Sequence, residues 1–160
     1  MNSLIRCGIL AIVLFMSAPA KSDNPSIQNF FNALNINTLL LIDSFYAPDV
    51  QFIDPMGEIR GREKVKAYYQ KMYKDVTAIR FDFSDEIVQG NDHVVTWTMY
   101  VQAKNLNGGE PVSLPGISHI RFQNGLAAYH RDYFDMGVFV YEHIPVLGRL
   151  IRFIRGRLAH

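Results

Sequence analysis

Three residues have the type and setting to move protons: Asp54, His130 and Asp132. Asp54 closes a short apolar run (Val50, Phe52, Ile53) and precedes Pro55, which places it at the end of a strand. A carboxylate in a partly apolar site has a raised pKa and can exchange protons near neutral pH. The structural alternative is an Asp-Pro turn whose carboxylate caps nearby backbone N–H groups. His130 and Asp132 stand two apart in Leu126–Phe134 (LAAYHRDYF). In a strand they share one face with Phe134, while Tyr129, Arg131 and Tyr133 take the other. On an interior face, Asp132 could serve as an acid or base. His130 could polarise a substrate or orient Asp132. The plain alternatives are a hydrogen-bonded structural histidine and an Asp132–arginine pair at a subunit contact.

Which face turns inward depends on the preceding hairpin, marked by Asn124-Gly125. A two-residue loop would pair His119 with His130. A three-residue loop with Gly125 as a bulge would pair Ser118 with His130. His93, His119, His130, Asp54 and Asp132 show no metal-ligand spacing, and no metal is expected. No phosphate loop, nucleophile elbow or dinucleotide fingerprint is present, so no cofactor is expected.

The elements that must position these groups follow from periodicity. Ser26–Leu34 places Ile27, Phe30, Phe31 and Leu34 at helical spacing. Leu39–Tyr46 reads as a second short helix, stopped by Ala47-Pro48. Val50–Ile53 is a short strand that enters the turn Asp54-Pro55-Met56-Gly57. Arg62–Lys74 is a third helix behind Gly61, with Val65, Tyr68, Tyr69, Met72 and Tyr73 on its apolar side. The period then changes to two. Ile79–Val88, His93–Ala103, Val112–Phe122 (broken near Pro115-Gly116) and Leu126–Phe134 read as strands. Val138–Leu158 is helical, with interruptions at Pro145 and Gly148. Helices followed by long antiparallel strands make an α+β class, a curved sheet wrapped around three helices as a cone with an apolar pocket.

Composition excludes several function classes. The chain has 160 residues, 49% hydrophobic and 12% aromatic, too apolar for disorder. With 16 basic against 15 acidic residues it lacks the excess charge of a nucleic-acid binder. A single cysteine, Cys7, excludes a disulfide framework. Residues 1–20 follow the order of a secretory signal: Arg6, the apolar run Cys7–Met16, then Ala18 and Ala20 at peptidase spacing. Cleavage near Ala20 would leave a secreted or periplasmic chain with equal basic and acidic counts. The domain is then expected over 26–137, with an amphipathic extension over 138–160. In that extension Leu147, Leu150, Ile151, Ile154 and Leu158 form a stripe, with Arg149, Arg152, Arg155 and Arg157 away from it. One expectation is a helix packed on the domain with a solvated basic face. The other is contact with an anionic membrane surface.

The element order and two stretches resemble the nuclear transport factor 2-like superfamily, in particular its SnoaL-like and ketosteroid-isomerase-like branches. The first stretch is Phe45–Tyr69, with the Asp54-Pro55-Met56-Gly57 turn, Gly61 before the third helix and the Tyr68-Tyr69 pair. The second is Ile117–Phe122 (ISHIRF) with Tyr129–Asp135 (YHRDYFD). The resemblance implies Asp54 at the isomerases' general-base position and Asp132 at the acid/base position of SnoaL-like cyclases. It favours the register that turns His130, Asp132 and Phe134 inward, and it implies a homodimer. The isomerases' oxyanion donors, a tyrosine and a protonated aspartate, are replaced here by Phe30 and Ser118. A phenyl ring donates no hydrogen bond, and losing one such donor typically costs 10²–10³-fold in rate. Isomerisation of steroids by that route is therefore not expected. Ring closure, epoxide hydrolysis, or binding of a small hydrophobic molecule without turnover fits better. Asp54, Asp132 and His130 are the candidate catalytic groups. Phe30, Tyr69, Trp97, Ser118 and Phe134 are the candidate pocket lining, with plain core packing the alternative for Tyr69 and Trp97.

Overall fold

The computed structural model describes residues 24–158. The expected signal segment and Cys7 lie outside the described residues. Helix α1 (Ile27–Ala33) starts at Ser26, whose side chain accepts the N–H of Asn29, and buries Ile27, Phe30 and Phe31. Helix α2 (Leu41–Phe45) runs directly into strand β1 (Tyr46–Asp54). Pro48 does not simply end the second helix. It sits within β1 where the pairing is irregular, between the Tyr46 and Gln51 ladder positions, so its missing N–H breaks no regular ladder bond.

β1 turns back through Pro55-Met56 into β2 (Gly57–Arg60), a strand that the periodicity did not reveal. Gly61 follows with φ 93°, its N–H donating to Val50 O at 2.8 Å, and launches α3 (Arg62–Tyr73). Strands β3 (Val76–Gln89), β4 (Asp92–Ala103), β5 (Val112–Gln123) and β6 (Leu126–Phe134) complete one curved sheet of order β2-β1-β6-β5-β4-β3. Only the β1–β6 contact is parallel. The three helices fill its concave side, where Phe30, Phe45, Phe52, Val65, Leu114 and Phe122 form the packed core. The class is the expected α+β cone.

β5 is continuous rather than broken. Pro115 lies just past the last β5–β6 pair, Gly116 with Phe134, an edge position that tolerates proline. Gly116 faces Trp97 across the β4–β5 ladder, and a Cβ there would collide with the indole ring. The glycine is thus the seat on which Trp97 lies, not a strand breaker.

The hairpin register differs from both expected pairings. Asn124 (φ 52°) and Gly125 (φ 76°) form a two-residue loop that pairs Gln123 with Leu126 and Phe122 with Ala127. Ala128 is then an extra residue, and the ladder resumes with Arg121–Tyr129 and Ile120–His130. This bulge shifts the pleat by one residue. It puts His130, Asp132 and Phe134 on the inner face despite the two-residue loop. Without it, Tyr129, Arg131 and Tyr133 would point inward.

After β6, Asp135 caps the short helix α4 (Met136–Phe139) by accepting from the N–H of Gly137 and Val138. A turn at Tyr141–His143 leads into α5 (Pro145–Leu158). Pro145 starts this helix, and Gly148 does not interrupt it.

Candidate active site

A cavity of about 250 Å³ opens between α3, the inner sheet face and α4. Its walls are largely apolar: Phe31, Phe52, Met72, Phe81, Met99 and Phe139 are among them. Asp54 and Asp132 both line it, as do Tyr69, Trp97, Ser118 and Phe134. The fold therefore brings six of the eight candidate residues to one space.

Phe30 is a correction. It does not line the cavity but stacks on Phe45, ring centroids 3.8 Å apart, beneath the α2–β1 junction. The next residue, Phe31, takes the cavity position and lies edge-on to His130 at 5.5 Å. Both were apolar residues on one helical face, and only the packing of α2 selects between them.

His130 is also absent from the cavity wall. It is fully buried behind Asp132, packed against Phe31, Tyr46 and Phe52. Its Nε2 lies 2.8 Å from Asp132 Oδ1, and its Nδ1 lies 2.6 Å from the Tyr46 hydroxyl. Burial pushes the Tyr46 phenol well above its ordinary pKa, and burial, with the nearby Asp132 carboxylate, does the same to Tyr69. Both keep their protons. Tyr69 donates toward Tyr46 across 3.4 Å, and Tyr46 donates to His130 Nδ1. With Nδ1 accepting, the His130 ring presents Nε2–H to Asp132, an assignment made from this network.

A second chain reaches the same oxygen. Trp97 Nε1–H donates to Ser118 Oγ at 2.8 Å, which frees the Ser118 hydroxyl to donate to Asp132 Oδ1 at 2.5 Å. Asp132 Oδ1 thus receives two hydrogen bonds, and Oδ2 receives none from the described residues. No arginine pairs with Asp132 among the described residues. Chemically this is a carboxylate held rigidly by one oxygen, with the other available to a bound molecule.

Asp54 is arranged differently. Its Oδ1 accepts the backbone N–H of Met56 (2.7 Å) and Gly57 (3.0 Å), which fixes the β1–β2 turn. Its Oδ2 accepts a short hydrogen bond from Tyr68. Burial, and then the Asp54 carboxylate, push the Tyr68 phenol strongly up, so it remains a donor. The turn-capping role and the cavity position therefore coexist in one residue.

Tyr46 and Tyr68 are the functional neighbours that sequence reasoning did not single out. Tyr68 carried a signal, a tyrosine pair on the helix that follows the Asp-Pro turn. Tyr46 carried none, because its role depends on a contact 84 positions away in sequence. His119 faces outward and bonds Asp92. Among the described residues no group of three His, Cys, Asp or Glu side chains comes together as a metal site.

The SnoaL-like domain family matches residues 27–130. A nuclear transport factor 2-like protein of unknown function from Burkholderia pseudomallei is 27% identical, with a TM-score of 0.56 over 62% of this chain and 79% of its own. A protein with a ketosteroid isomerase-like fold from Catenulispora acidiphila, solved in complex with trimethylamine, is 17% identical. Its TM-score is 0.63, over 72% of this chain and 90% of its own. A SnoaL-like protein from Shewanella denitrificans is 16% identical, with a TM-score of 0.60 over 68% of this chain and 87% of its own. The last two likenesses concern the fold alone. No curated protein sequence matches the chain.

Proposed function

This chain belongs to the SnoaL-like family, and we propose that it is an acid/base enzyme of cyclase, isomerase or epoxide-hydrolase type acting on a hydrophobic organic molecule in the cavity. One observation carries the reading. Asp132 has Oδ1 saturated by Ser118 and His130 and Oδ2 unspent, in a cavity that is otherwise mostly apolar. A base that is fixed in orientation and shielded from water is what proton transfer to or from a bound substrate requires. Asp132 takes the proton. His130 and Ser118 hold it in place, and Tyr46, Tyr69 and Trp97 hold those two. Asp54 acts on the substrate by exchanging its Tyr68 hydrogen bond for one to the ligand. Steroid isomerisation by an oxyanion hole is not part of the proposal, since Phe30 lies outside the cavity and Ser118 is committed to Asp132.

The second reading, binding of a hydrophobic ligand without turnover, has one observation in its favour. Both Asp54 oxygens are already occupied by protein donors. The site is further read as that of an exported protein that forms a homodimer. The mass of the exported chain and sedimentation velocity test these two points.

The experiment that separates the main readings follows deuterium incorporation from D2O into a panel of hydrophobic ketones and 1,3-diketones, alongside opening of hydrophobic epoxides. The enzyme reading expects turnover of at least one panel member and a loss of about 10³-fold in Asp132→Asn. Tight displacement of a fluorescent apolar dye by panel members, with no exchange or opening, establishes binding only. Full activity in Asp132→Asn overturns the assignment of the base.

A further inference from the structure

Helix α5 is docked the wrong way round for an ordinary amphipathic helix. At 100° per residue, Val146, Leu147, Leu150, Phe153, Ile154 and Leu158 fall on one arc of about 140°. That arc faces away from the domain: Val146, Leu150, Phe153, Ile154 and Leu158 are between 46% and 79% exposed. The side that meets the protein is small and polar. Gly148 is buried on the turn at Tyr141–His143, where a Cβ would collide with the Glu142 carbonyl. Arg155 pairs with Asp135 and Glu142, and Arg152 Nη1–H donates to the Glu142 carbonyl at 3.1 Å. Two of the four arginines are thus spent on fixing the helix with its apolar side outward. This overturns the expectation of an apolar stripe packed on the domain.

We propose that this outward face binds an anionic membrane surface, lying in its plane. Charge decides the occupant. Arg149 borders the apolar arc and Arg157 sits within it on the last turn, where its long side chain can reach past the apolar residues, and neither has a carboxylate partner among the described residues. Arg149 turns to the carbonyl of Pro145, and Arg157 lies over the Phe153 ring. Residues 145–160 contain no acidic side chain. A second copy of the same face would set arginine against arginine. An anionic headgroup layer gives those guanidinium groups counter-charges while the apolar arc enters the acyl boundary. At 14 residues the helix is about 21 Å long, too short to span the roughly 30 Å hydrocarbon core. Among the described residues no helix is long and apolar enough to cross a membrane.

The test is co-sedimentation of the full chain with two sets of vesicles, pure phosphatidylcholine and phosphatidylcholine enriched in phosphatidylglycerol. Each arginine near an anionic surface is worth roughly fivefold in binding. The wild type is therefore expected to bind the anionic vesicles at least about tenfold more tightly, and added salt should remove that preference. Leu150→Ser/Phe153→Ser/Ile154→Ser should lose the bound fraction on anionic vesicles. Arg149→Glu/Arg157→Glu should bind both vesicle types alike. The variants differ from the wild type only in α5, so a difference between them belongs to that helix, and an unchanged thermal midpoint confirms that the domain is folded. Equal binding of wild type and the triple-serine variant overturns the proposal. So does a wild-type dimer that dissociates in the triple-serine variant while vesicle binding is absent, since that assigns the face to a second copy.

Discussion

Two histidine–aspartate pairs sit on opposite faces of the same sheet, and their contact distances do not tell them apart. Inside, His130 Nε2 lies 2.8 Å from Asp132, whose side chain is 15% exposed. Outside, His119 Nε2 lies 2.6 Å from Asp92, and both side chains are about a third exposed, 29% and 34%. The difference is in what completes each pair. Asp92 also takes the Arg121 guanidinium at 2.9 and 3.2 Å, so charge meets charge in water. Asp132 takes no guanidinium and keeps one oxygen free of the protein. Proximity therefore makes a salt bridge on one face and a candidate base on the other. Desolvation and the unspent acceptor decide which is which.

Removing the histidines separates the two faces most severely. His130→Ala deletes a fully buried ring, leaves a cavity, leaves the Tyr46 hydroxyl with only its Tyr69 contact, and removes one bond to Asp132. A loss of about 3 kcal/mol is expected from the packing and hydrogen-bond terms together. His119→Ala, on the wet face, is expected within about 0.5 kcal/mol of wild type. Urea unfolding of both variants gives the two numbers. Comparable losses would remove the contrast between the faces.

A subtler perturbation reaches the inner pair without touching it. Gly116→Ala drives a methyl group into the Trp97 ring, and the indole N–H holds Ser118, which in turn holds Asp132. Overpacking of this kind costs about 1–3 kcal/mol. Tryptophan emission should shift as the indole leaves Ser118, and any turnover should fall with it. The outer pair should be unaffected, read as unchanged His119 ring resonances by NMR at one fixed pH. A silent Trp97 would show that the chain Trp97–Ser118–Asp132 does not position the base.

Much of this contrast was legible in the sequence, and the failures are instructive. Alternation in Leu126–Phe134 separated His130, Asp132 and Phe134 from Tyr129, Arg131 and Tyr133, because a strand has a period of two whatever its neighbours do. Which set points inward was not local information. Asn124-Gly125 specifies its two-residue loop correctly, yet the Ala128 bulge then reverses the consequence. A bulge at an alanine leaves no mark in composition. Phe30 and Phe31 are the same problem on a helix, where two adjacent rings both fit the apolar face and the position of Phe45 picks one for the cavity. In α5 the period marked the apolar arc, but Gly148 against the Glu142 carbonyl, a contact between segments, turned it outward. Strand existence and face membership are near-neighbour properties. Register, the partner of Tyr46 and the direction of an amphipathic face are set at long range.

The smallest expected effect lies in the outer pair and concerns pH. The Arg121 guanidinium first, and His119 second, hold the Asp92 carboxyl below its ordinary range. A group whose folded pKa is depressed adds stability above its unfolded pKa and loses it as pH falls through the folded one. The contribution of Asp92 should therefore be complete above about pH 4, the ordinary aspartate range, and should fade on further acidification. Because the pair is solvated, the contribution is small and screened by salt. Wild type and Asp92→Asn should differ slightly in urea midpoint at neutral pH and low salt, with wild type the more stable. Their midpoints should converge as the pH drops below that range. A gap that persists in acid, or survives high salt, would mean that Asp92 acts through buried packing. The outer pair would then share the character assigned here to the inner one.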